Sequence, residues 1–232
     1  MPHLKQLVIS SIDDKNNQIE PIDFKNLAEY APYLEVLDAS FNHISYFHAA
    51  ELQHFKKLKT LILCSTELED ASIQFIKNLC EISVLDLSHT SVHSFAVNFA
   101  ITKMLTLRDL SLGQCNIGKS GIRNIVKSLK DLNCLSLPFT EVEDVEVQAI
   151  LEGLLNLEQL DISKNCIHET GYDYLITAIK NQKYKLKKLK ISPCKPNYKT
   201  GPEVESAKLK TQELINLSGS FEEFEMVDGY WD

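Results

Sequence analysis

The chain has 232 residues, 44% hydrophobic and 24% charged, with a formal net charge of −8. That is room for one sizeable domain of ordinary globular composition, and the acidic balance disfavours a general nucleic-acid binder. No apolar run nears the ~18 residues needed to span a bilayer, and the opening MPHLKQLVISS lacks the cationic and apolar regions of a secretory signal.

The first predicted element is a strand, LKQLVISSI from Leu4, so either the first repeat is uncapped or more chain precedes it. The same pattern then returns. LEVLDASFNHI starts at Leu34, LKTLILCSTEL at Leu58, ISVLDLSHTSV at Ile82, LRDLSLGQCNI at Leu107, LNCLSLPFTEV at Leu132, LEQLDISKNCI at Leu157 and a weaker LKKLKISPC at Leu186. The starts lie 30, 24, 24, 25, 25, 25 and 29 residues apart, a spacing regular enough to be a structural repeat. Within each copy apolar and polar positions alternate, as a short half-buried strand requires. The ninth position is Asn42, Thr66, Thr90, Cys115, Thr140, Asn165 and Cys194, each able to satisfy backbone groups inside a turn. Between strands the period changes to that of a helix. Ile122, Ile125, Val126 and Leu129 fall at i, i+3, i+4 and i+7, as do Val147, Ile150, Leu151 and Leu154, and Tyr172, Leu175, Ile176 and Ile179.

The motif resembles the leucine-rich-repeat family, whose consensus is L-x-x-L-x-L-x-x-N/C-x-L. Threonine at three ninth positions departs from it. Repeats of about 25 residues with a strand and a helix look like the ribonuclease-inhibitor-like subclass. The resemblance implies an α/β fold: a curved solenoid of about eight strand-helix repeats over residues 1–196, with a parallel concave sheet and convex helices. Residues 203–217 predict a helix, so 197–217 reads as a C-terminal cap covering the last repeat. Ser218-Gly219-Ser220 reads as a joint, and 218–232 as a flexible acidic tail.

Outward strand positions are the expected working surface. One column reads Val8, Asp38, Ile62, Asp86, Ser111, Ser136, Asp161 and Lys190; a later one reads Phe41, Ser65, His89, Gln114, Phe139 and Lys164. Exposed aromatic residues beside acids suit a protein partner. The partner-binding candidates are Asp38, Phe41, Ile62, Asp86, His89, Ser111, Gln114, Phe139, Asp161 and Lys164. The reading is a monomeric, non-enzymatic module that needs no cofactor and no metal and binds another protein, not nucleic acid.

Three other features have a chemical alternative. Gly113 to Ser120 satisfies the phosphate-loop pattern G-x-x-x-x-G-K-S, but the repeat register sends Cys115 and Ile117 into the core. Cys64 and His89 stand at the ends of adjacent strands, where a nucleophile–base pair would make a cysteine-dependent enzyme. Residues 183–199 hold seven lysines and no acid, either a solvated last strand or a patch for an acidic group, onto which the acidic tail could fold. The six cysteines have no framework spacing and predict reduced thiols in a cytoplasmic protein. Finally, Glu222, Glu223 and Glu225, with Tyr230 and Trp231, resemble the C-terminal translocation signals of effectors exported by bacterial type IVB secretion systems, as in Legionella. That resemblance implies delivery into a host cell and a host protein as target.

Overall fold

A computed structural model describes residues 1, 3–10, 23–181, 184–196 and 202–227. The chain divides into two compact units, 1–117 and 118–232, so the division falls within the repeat array.

Unit 1 alternates strands with short helices. It contains β1 (Gln6–Val8), α1 (Phe24–Tyr30), β2 (Val36–Asp38), α2 (Tyr46–Leu52) and β3 (Thr60–Ile62). It continues with α3 (Asp70–Ile76), β4 (Val84–Asp86), α4 (Ser94–Phe99), a 3-10 turn at Ile101–Lys103 and β5 (Asp109–Ser111). Each strand pairs in parallel with the next, with Val8, Asp38, Ile62, Asp86 and Ser111 in one register column. Parallel neighbours require a crossover, and each helix supplies one. Leu37, Leu61, Leu85 and Leu110 form the adjacent inward column, at most 1% exposed, while the residues flanking them stay half-buried.

Unit 2 contains α5 (Gly118–Ser128), β6 (Cys134–Ser136), α6 (Asp144–Gly153), β7 (Gln159–Asp161), α7 (Glu169–Lys180) and β8 (Lys188–Ile191). It ends in α8 (Pro202–Asn216), a 3-10 turn at Ser218–Ser220 and β9 (Glu223–Met226). The three helical periods read from the sequence are buried, except that Ile179 is only half-buried. Helix α8 packs on α7, burying Ala207 and Leu214. The contact is held by ion pairs Lys180–Glu213 and Lys210–Asp173 and a hydrogen bond from Ser206 to Glu169.

The last segment departs from expectation. Residues 218–227 are not a flexible tail: β9 adds to the sheet in parallel with β8, placing Glu223 opposite Lys188 and Glu225 opposite Lys190. The five acids of the tail exclude it from an apolar core. They do not exclude it from a sheet edge whose outward residues are lysines, and of the two readings of the lysine-rich segment this one applies. Residues 228–232, including Tyr230 and Trp231, lie outside the described residues.

The ninth positions explain how the turns close. Asn42 Nδ2 donates to the carbonyls of Ile9 (2.7 Å), Ala39 (3.1 Å) and Ser40 (3.0 Å), bridging two repeats. Asn165 does more: its Nδ2 donates to Leu137, Ile162 and Ser163, and its Oδ1 accepts from the Thr140 and Val142 N–H groups. Threonine is shorter. Thr66, Thr90 and Thr140 each donate only to the carbonyl three residues back, at 2.8, 2.6 and 2.6 Å. Cys115 Sγ reaches back to the Leu87 carbonyl of the preceding repeat at 3.1 Å.

Candidate functional site

In unit 1, seven of the expected partner-binding residues share one region. Asp38, Ile62, Asp86 and Ser111 occupy the outward column, each half-buried. Phe41, His89 and Gln114 follow three residues later, with Ser65 in the same row, at the rim where each strand enters its turn. Ladder bonds continue to that rim: the Phe41 N–H donates to Cys64, Ser65 to Ser88 and His89 to Gly113. In unit 2, Asp161 lies in the outward column and Phe139 and Lys164 at the rim.

The rim residues share a property that periodicity does not reveal. Phe41, Ser65, His89, Gln114, Phe139 and Lys164 all have φ between 55° and 59°. This left-handed region disfavours any side chain with a Cβ, and Gly, Asn or Asp occupy it most easily. Here Phe, Ser, His, Gln, Phe and Lys hold it. Phe41 is 57% and Phe139 48% exposed.

The column aspartates also have local work. Asp38, Asp86 and Asp161 each accept, through Oδ1, the N–H of the serine two residues on, at 3.0, 2.8 and 3.0 Å. These bonds terminate the strands, so the aspartates are not purely surface groups. A further outward column, Gln6, Val36, Thr60, Val84 and Asp109, lies in register beside the expected one. The outward–inward alternation contained that signal, since these positions lie two residues before the column that was read. Burial pushes the Asp109 carboxyl up.

A second surface in unit 1 has no counterpart in the sequence reading. Phe47, Phe95 and Phe99, on α2 and α4, are 78%, 57% and 56% exposed. Tyr46 meets Phe47 and Phe75 edge-on, and Phe95 lies 4.5 Å from Phe99. Helical periodicity ranks aromatic residues as core, which concealed them.

The two enzymatic patterns do not assemble. Across Gly113–Ser120, the N–H groups of Gly113, Cys115 and Ile117 are spent on Ser88 Oγ, Leu112 O and Cys115 O, and Cys115 and Ile117 are buried. Lys119 is held by Glu143 at 2.7 Å, which raises its pKa. A phosphate cradle needs those donors pointing at the ligand. Cys64 Sγ contacts Ser65 Oγ at 3.6 Å, and its thiol is pushed up by burial, opposite to the shift that activates a nucleophile. His89 is exposed and at the rim.

The lysine-rich segment is largely paired. Lys187 meets Glu158 at 3.0 Å, Lys188 meets Glu223 at 3.0 Å, and Lys190 meets Glu225 at 2.6 Å. Lys185 donates to Asn156 at 3.0 Å. The Lys188 ammonium holds the Glu223 carboxyl below its usual range, and Glu225 raises the Lys190 ammonium. Two of the three glutamates of the export-signal resemblance are therefore strand partners. Among the described residues no group of His, Cys, Asp and Glu could hold a metal ion, and no helix is long and apolar enough to cross a membrane.

A family model described as Leucine Rich repeat matches residues 103–126. Among solved structures, the chain is similar to internalin C2 of Listeria monocytogenes str. 4b F2365, at 20% identity and a TM-score of 0.57, over 86% of this chain and 73% of that one. It is also similar to a second internalin of that strain, inlF, at 15% identity and a TM-score of 0.48, over 97% of this chain and 68% of that one. Comparison with curated proteins gives no match. The first structural likeness and the strand-helix register together identify the fold as an α/β leucine-rich-repeat solenoid.

Proposed function

We propose that this leucine-rich-repeat protein is a protein-binding module of the ribonuclease-inhibitor-like kind, without catalytic activity, whose working surface is the outward sheet face and rim. The residues concerned are Asp38, Phe41, Ile62, Asp86, His89, Ser111 and Gln114 in unit 1, and Phe139, Asp161 and Lys164 in unit 2. The observation that carries this reading is the rim. Two phenylalanines stand about half exposed in a backbone conformation that a smaller residue would hold more cheaply, so their side chains serve something other than folding. Affinity capture with Phe41→Ala plus Phe139→Ala tests it: partner recovery should fall while the melting temperature holds. Unchanged capture would remove the rim from the reading.

The exposed aromatic residues of α2 and α4 favour a second reading, in which the helix face of unit 1 docks the partner. Phe47→Ser plus Phe95→Ser separates the two. Loss of capture in that variant alone would move the working surface to the helices. Delivery by a type IV system gains nothing from the described residues, because Glu223 and Glu225 are engaged within the sheet.

A further inference from the structure

The outward sheet faces of both units carry acids, and only some of these are paired; Asp161 in unit 2 forms no ion pair among the described residues. In unit 2 the outward glutamates of β9 each meet a lysine of β8. In unit 1 the same face carries Asp38, Asp86 and Asp109, and among the described residues none of the three forms an ion pair. Lys5 and Lys59, which precede β1 and β3, are both occupied by Glu35 at 2.7 Å. The acids do not stand alone. Ile62 lies in register between Asp38 and Asp86, and Val8, Val36 and Val84 continue an apolar floor around them, interrupted by the hydroxyl of Thr60.

Asp38 and Asp86 are two strands apart, on the order of 10 Å at the spacing of neighbouring strands. After burial, the charges of Asp86 and then Asp38 raise the Cys64 thiol, so one spot beside Ile62 feels both carboxylates. A long cationic side chain laid along Ile62 would reach both acids with its head group while its stem covers apolar surface.

We propose that this face of unit 1 takes a basic, apolar-flanked segment of a partner protein, with an arginine or lysine between Asp38 and Asp86 and apolar neighbours on Val36, Val84 and Phe41. The inference rests on the sheet-face reading above and adds the partner's chemistry. Charge complementarity of this kind selects partners as much as it tightens them.

The test uses the full chain and a fluorescein-labelled peptide of alternating arginine and valine, read by anisotropy. Asp38→Asn plus Asp86→Asn keeps the Oδ1 acceptors that terminate β2 and β4, so the fold is retained while both charges go. Glu29→Gln plus Glu51→Gln, on α1 and α2, changes the net charge equally. The sheet variant should weaken binding by about tenfold or more, and the helix variant by less than about twofold. Equal weakening in both, or no binding of the peptide to the native chain, overturns the proposal. A glutamine–valine peptide that binds as tightly, and is lost with Ile62→Ser but not with the aspartate variant, also overturns it while leaving the sheet-face reading intact.

Discussion

Asn165 and Thr90 occupy the same repeat position and do unequal work, which makes that position a graded test of turn closure. Asn165→Ala would strand the Ile162 carbonyl and two N–H groups inside a buried arc, while Leu137 and Ser163 keep the Thr140 hydroxyl and the Phe139 N–H, at about 1–3 kcal/mol for each group left unsatisfied before relaxation. Relaxation and water entry reduce the sum, so chemical denaturation should show a loss of roughly 3–5 kcal/mol. Thr90→Val removes one of two donors to the Leu87 carbonyl, which keeps the Cys115 thiol, and should cost about 1 kcal/mol or less. Equal losses would mean that the asparagine bonds are not what closes the turn. The rim offers the opposite sign. Phe41 holds φ 59° and is mostly exposed, so Phe41→Asn should leave the melting temperature unchanged or raise stability by up to ~1 kcal/mol. Phe41→Val places a β-branched residue in the same conformation and should cost about 1–2 kcal/mol. If asparagine destabilises as much as valine, Phe41 is a packing residue and the rim loses its claim to function.

At the scale of the strand and its neighbours, Lys5, Glu35 and Lys59 form a ladder across β1, β2 and β3 at the strand entries. Hydrogen bonds from Lys5 and then Lys59 lower the Glu35 carboxyl from its ordinary value near 4.5 to about 2. A depressed acid binds its proton less readily in the folded chain, so its stabilisation is present above pH 4.5 and is lost as pH falls toward 2. The gap in melting temperature between native chain and Glu35→Gln should therefore be greatest near neutrality and narrow below pH 4.5. It should also shrink in high salt, because the ladder is solvated. A gap independent of pH would assign the effect to packing. The elements themselves were largely legible, because leucine spacing sets strand and helix faces directly: Leu37, Leu61 and Leu85 fall in one buried row as the repeats require. The outward column was legible from the same alternation. Its conformation was not, since a positive φ at Phe41 or His89 leaves no mark when the residue is not glycine or asparagine. The bonds of Asp38 and Asp86 to the serines beyond them were hidden because a surface aspartate and a strand-terminating one look alike in a repeat pattern. The exposed Phe47 and Phe95 were hidden because hydrophobicity alone cannot tell a covered face from a bare one.

At the scale of the whole chain, the end of the array is where composition misled and geometry corrects it. Five acids in the last twelve residues read as a solvated tail. Strand β9 instead lays alternate glutamates over the lysines of β8, with Phe224 opposite Leu189 and stacked 5.8 Å from Phe221. Met226 Sδ lies 3.8 Å from the hydroxyl of buried Tyr172. A chain truncated after Leu217 would expose the β8 edge, leave Lys188 and Lys190 without their glutamates and uncover Leu189. The solvated ion pairs contribute little. The larger loss is the partial burial of Phe221, Phe224 and Met226, each about half of the 1.5–3 kcal/mol that full burial of such a side chain provides. Discounted for residual structure in the unfolded chain, that is about 2 kcal/mol, or roughly 4–8 °C in melting temperature for a protein of this size. The truncated chain should also show steeper concentration-dependent aggregation in light scattering, since an open strand edge pairs with other chains. A truncated protein that melts within a degree of the full chain and stays monomeric would show that β9 is not part of the folded unit. Glu222, Glu223 and Glu225 would then be free to act as a transport address.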